Sequence, residues 1–99
     1  MAKKTKIPVL VTTDKDKRGV FFGYIVPEEV DNDPLDLYEA QMCIIWVDTK
    51  GVMGLAAHGP NPKCRIGAPV SKARLRGITM VAEVSEKAVK EWKKEYWQS

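Results

Sequence analysis

The chain has 99 residues, 44% hydrophobic and 29% charged, and carries a formal net charge of +3. That length suits one core and is too short for two, and the composition sits near the globular average, which argues against disorder. No apolar run approaches the roughly 20 residues that span a bilayer as a helix, so no membrane partner is expected.

Residues 1–6 form a flexible basic start, and 7–99 are expected to make a single β-rich domain with a C-terminal helix. The apolar stretch behind the basic start reaches only from Ile7 to Val11 before charge returns, too short for a secretory leader. Ile7 to Thr13 is rich in β-branched residues and reads as a strand, with Pro8 near its beginning, where a missing N–H matters least. Asp14 to Gly19 is a charged turn. Val20 to Val26 then reads as the second strand of a hairpin, and Gly23 inside it signals a bulge or the close approach of another backbone.

Pro27 to Pro34 is turn chemistry throughout. Leu35-Asp36-Leu37 reads as a short strand. Gln41 to Asp48 is a near-continuous apolar run that predicts a buried strand, with Trp46 filling the core. Val52 to His58 predicts a short helix that ends at Gly59 in a left-handed cap, before Pro60-Asn61-Pro62. Residues 63–76 read as irregular, with an edge strand near Arg74. Ile78 to Val84 is the last strand, with Ile78, Met80, Ala82 and Val84 on one face.

Ser85 is a good N-cap for the final helix, expected over about 85–97, and Val84 with Val89 makes a hydrophobic staple. Ala88, Val89, Trp92 and Tyr96 share one face of that helix. The expected fold class is α+β: a small antiparallel sheet or partly open barrel of about 4–6 strands, with the two helices to one side.

Charge is segregated. Six acids and no base lie between Pro27 and Ala40, and five bases and no acid lie between Asn61 and Gly77. Three readings compete. The loops are merely solvated; or the acidic loop of one copy meets the basic segment of another in a homo-oligomer; or the basic segment binds phosphate. For the last, Arg65, Arg74 and Arg76 are the leading ligands, with Lys63 and Lys72 beside them, because a guanidinium grips two oxygens at once. Arg74 and Arg76 would point the same way on an extended strand. Trp46, and the C-terminal pair Tyr96 and Trp97, are candidates for stacking or for an interface. Nucleic-acid binding is the runner-up on the basic balance, without a recognition helix or an aromatic–Gly RNA motif to support it.

Catalytic machinery is not recognisable. His58 is alone, the acids cluster in a turn, and the glycines form no phosphate-cradling pattern. A small enzyme would have to use His58 or Cys64, the latter beside Lys63 and Arg65, where a thiol pKa can fall. Cys43 and Cys64 with one His do not make a zinc site, so neither metal nor cofactor is expected.

Several ordered motifs form a pattern: Arg18-Gly19-Val20-Phe21-Phe22-Gly23, Cys43-Ile44-Ile45-Trp46, Gly51-Val52-Met53-Gly54-Leu55-Ala56-Ala57-His58-Gly59-Pro60 and Cys64-Arg65-Ile66-Gly67. The chain resembles, over roughly residues 18–97, a family of small uncharacterised proteins of tailed bacteriophages and prophages. That resemblance implies a viral accessory protein in the host bacterial cytoplasm, and it supplies no activity. The combined expectation is a non-enzymatic binding protein, a homo-oligomer, that engages a host protein or sequesters a phosphate-bearing nucleotide signal.

Overall fold

Residues 5–13, 19–46 and 51–94 are described by a computed structural model. The turn expected at Asp14 to Arg18 and the aromatic pair Tyr96 and Trp97 lie outside them. The elements in chain order are β1 (Ile7–Thr13), β2 (Gly19–Ile25), a 3-10 turn (Pro27–Glu29), β3 (Leu35–Ile45), α1 (Gly51–Ala57), β4 (Arg65–Ile66), β5 (Val70–Leu75), β6 (Ile78–Glu83) and α2 (Glu86–Trp92). Every strand pair is antiparallel. The order is β4-β3-β2-β1-β6, with β5 also paired to β3.

This order forces the sheet to curl. β5 and β6 stand at opposite ends of it, yet only Arg76 and Gly77 separate them in the chain. Three Cα steps span at most about 10 Å, so the two ends of the sheet must come together at that corner. β5 and β6 do not pair, and the result is the partly open barrel expected above. Inside the curl pack Val9, Val11, Ile25, Leu35, Leu37, Ala40 and Leu75. Alternate residues of the same strands point outward: Leu10, Val20, Phe22 and Cys43 meet Leu55 and Ala56 of α1 and Ala88 and Trp92 of α2.

The ladders carry three irregularities, one of them between Cys43 and Ile45 of β3 where it pairs with β4; the other two set the register of the longer strands. Phe22 opposes Gln41 but Tyr24 opposes Tyr38, so β3 carries one extra residue opposite Gly23. Glu39, at φ 52°, takes the left-handed conformation of such a bulge. Gly23 is needed there because a Cβ would lie 2.5 Å from Leu37 Cγ and 2.8 Å from the Tyr38 carbonyl oxygen. In the second, Thr12 opposes Met80 and Thr13 opposes Ile78, which leaves Thr79 as the extra residue of β6.

Four expectations are corrected. The two strands expected at 35–37 and 41–48 are one strand, continued through the Glu39 bulge. Ile78 does not share a face with Ala82 and Val84. The Thr79 bulge turns it into the inner core beside Val81. Nor is the apolar run at the end of β3 buried, and Trp46 does not fill the core; its neighbours Met42, Ile44 and Ile45 are exposed as well. The final helix ends at Trp92, where the Lys93 N–H closes the last turn on the Val89 and Glu91 carbonyls.

Candidate functional site

β3 is longer than the strands beside it, and most of its last residues are exposed. Met42 is 41% exposed, Ile44 and Ile45 49% each, and Trp46 37%. Val70 of β5, opposite Ala40, continues this surface at 52%. Gly67 lies beside Met42 and Ile44, its N–H donating to the Met42 carbonyl at 2.8 Å. Single exposed apolar side chains are ordinary, whereas a contiguous patch marks a contact surface.

The bases fall into two groups. Arg65 of β4 lies opposite Ile45, the residue before Trp46, and is close in sequence to Lys63. Lys72 and Arg74 of β5 lie opposite Tyr38 and Asp36. Asp36 and Ile45 are nine positions apart along β3, which is roughly 25–30 Å of strand. One phosphate therefore cannot reach Arg65 and Arg74 together. Arg76 sits beyond the end of β5, so Lys72 and Arg74 are the two that share a strand face.

That second group is already engaged. Arg74 Nε donates to Asp36 Oδ1 at 2.8 Å and Nη2 to Oδ2 at 3.4 Å, and Lys72 Nζ stands 3.9 Å from Asp36. Hydrogen bonding to Arg74, then the charges of Arg74 and Lys72, hold the Asp36 carboxyl below its ordinary value; the same contact raises Arg74. The Tyr38 ring lies 4.5 Å from Lys6 Nζ and 6.0 Å from Lys72 Nζ. Asp33 accepts hydrogen bonds from the Gly77 and Ile78 N–H groups, each at 3.1 Å. The acidic loop and the basic segment thus meet within one chain.

The residues considered for catalysis are placed structurally. His58 is exposed, and its backbone N–H closes α1 on Gly54 at 2.8 Å. Cys64 is buried, with its thiol 3.7 Å from Asn61 Oδ1. Cys43 is buried beside it, and burial, reinforced by Cys64, pushes the Cys43 thiol up to about 12. Among the described residues no cluster of His, Cys, Asp or Glu has the make-up of a metal site.

Over residues 6–92 the chain matches the family described as Domain of unknown function (DUF6948). It belongs to that family. No curated protein and no solved structure matches the chain. The DUF6948 match runs from the residue before β1 to the last residue of α2, and so takes in all six strands and both helices. It also takes in the exposed end of β3 and both groups of bases.

The sequence reading missed one feature of this DUF6948 domain. A cleft of about 420 Å³ lies between the acidic turn, Val30 to Asp33, and the first residues of β6. These segments are 45 or more positions apart in the chain (Asp33 to Ile78), and no local pattern brings them together. No helix is long and apolar enough to cross a membrane among the described residues.

Proposed function

We propose that this DUF6948 protein is a non-enzymatic accessory binding protein of a tailed phage or prophage, acting in the bacterial cytoplasm by engaging a host protein. The observation that carries the reading is the exposed end of β3. Met42, Ile44 and Ile45 at the end of β3 and Trp46 directly after it are exposed around the buried Cys43, and Val70 of β5 is exposed as well. A flat apolar patch around an aromatic is the usual anchor of a protein interface, and Arg65 supplies a polar rim. Self-association through the same patch accounts for the homo-oligomer reading.

The test is capture from a bacterial lysate with wild-type protein and with Ile44→Asp, alongside sedimentation velocity of both. The expected result is a defined partner, or a defined assembly, that wild type retains and Ile44→Asp loses while the variant stays folded. A wild-type monomer that retains nothing sinks the reading, and so does a complex indifferent to Ile44→Asp.

A phosphate-bearing nucleotide is the second reading, favoured by Arg65 opposite Ile45, whose guanidinium can take a phosphate, and by the exposed Trp46 that follows Ile45, whose ring can stack on a base. Arg65→Glu should abolish binding of ATP or a cyclic dinucleotide measured by calorimetry. Unchanged heats dispose of it.

A further inference from the structure

The curled sheet leaves two long edges, and they are built differently. The outer edge of β5 carries Lys72 and Arg74, and charged side chains blunt an edge against further pairing. The outer edge of β6, Ile-Thr-Met-Val-Ala-Glu, carries neither Lys nor Pro, and its one acid is the last residue. Among the described residues no strand pairs with that side of β6.

The direction of its backbone groups follows from the register. The Val84 N–H donates to the Pro8 carbonyl at 3.1 Å, and Val9 lies opposite Glu83. Bonded and non-bonded pairs alternate along an antiparallel ladder, so Ala82 and Met80 turn their N–H and C=O groups toward β1. Val81 and Glu83 turn theirs outward. Of these two residues Val81 lines the 420 Å³ cleft, together with Ile78, Thr79 and Met80, and Glu83 lies two residues beyond it along the strand.

The opposite wall of the cleft is acidic. Asp31 is exposed there, Asp33 stands beside it, and Glu28 and Glu29 lie just upstream, with no base between Pro27 and Ala40. Val30, Ile78 and Met80 add apolar surface. We infer that the outer edge of β6 is a docking site for an extended peptide segment bearing Lys or Arg. It adds as a strand through the Val81 and Glu83 backbone groups and sets its cations against the Asp31 wall. A second copy is the poorer occupant, because pairing β6 with itself brings two acidic walls together. This surface is separate from the exposed end of β3, so either assignment stands without the other.

The test uses the whole chain and a synthetic labelled peptide that alternates valine with lysine, with a valine–glutamate peptide as control. Amide exchange followed by NMR is the readout. The lysine peptide should slow exchange at Val81 and Glu83 at least tenfold and leave Met80 and Ala82, already bonded to β1, unchanged. Asp31→Lys should weaken its binding several-fold at low salt. Unprotected Val81 and Glu83 amides at saturating peptide overturn the inference, as does equal binding of the glutamate peptide or indifference to Asp31→Lys. Val81 and Glu83 amides that are slow in the free protein and speed up on dilution also overturn it, since they identify a second copy as the occupant.

Discussion

The rings of Phe22 and Trp92 stack face to face, with centroids 4.9 Å apart and planes 5° from parallel. Phe22 belongs to the middle of the sheet and Trp92 to the last turn of α2. The Trp92 indole N–H also donates to the Leu55 carbonyl of α1 at 3.1 Å. One fully buried side chain therefore ties sheet, first helix and second helix together. Trp92→Ala should cost about 3–5 kcal/mol, a large share of a small domain's stability. Trp92→Phe keeps a ring on Phe22 and loses only the indole bond to the Leu55 carbonyl, which still accepts from the Gly59 N–H, and should cost less than half as much. Urea unfolding followed by circular dichroism separates the two.

Gly59 follows α1 at φ 82°, and its N–H bonds to the Leu55 carbonyl at 3.1 Å. A Cβ there would lie 2.8 Å from the Ala88 carbonyl oxygen of α2. Gly59→Ala carries both the left-handed penalty and that clash, and should destabilise by about 2 kcal/mol or more in the same urea experiment.

Ser85 works in two directions. Its Oγ accepts from the Ala88 N–H at 3.1 Å, capping α2, and donates to the Ala57 carbonyl at 2.7 Å, closing α1. Ser85→Ala should lose about 1–2 kcal/mol, and Ser85→Asp should recover the cap but not the bond to Ala57. Thermal melts of the three proteins check the order wild type, Asp, Ala.

The Cys43 thiol holds its proton up to about 12, against an ordinary value of 9.0. The folded chain therefore binds more protons than the unfolded chain between those values. Stability from this group is complete below pH 9 and falls as pH rises toward 12. Melting temperatures from pH 8 to 11 should fall less steeply for Cys43→Ala than for wild type. An equal slope removes Cys43 as the cause.

Asp36 titrates the other way. Its carboxyl lies below the ordinary 3.8 because Arg74 hydrogen-bonds to it. Its contribution is present above pH 3.8 and is lost as pH falls below it. Both partners are solvated, so the effect is small and salt weakens it. Asp36→Asn should flatten the acid limb of the stability curve at low ionic strength and match wild type in high salt.

Much of the fold was legible along the chain. The first strand has the bounds that its β-branched run predicts, and α1 begins one residue before the expected helix. Ser85 caps α2, and the Gly59 stop has the left-handed φ that its position implies. Of the two meanings Gly23 offered, the close approach of another backbone holds, and the bulge lies in β3 opposite it. The interior of β3 was read less well, because a bulge that lets one strand continue through Glu39 leaves no mark in local composition. The run from Met42 to Trp46 is as apolar as any core strand, and its exposure depends on what the rest of the chain packs against it.

Local chemistry therefore determined where strands, helices and caps form, since each depends on residues within a turn or two. Tertiary structure alone decided which charges meet and which apolar residues stay open. Arg74 is paired because the β3–β5 register sets it opposite Asp36, thirty-eight positions away. Arg65 is a strand's length distant because β4 joins the other end of β3. The β1–β6 register turns the backbone groups of Val81 and Glu83 away from β1, and no spacing of residues in the chain contains that information.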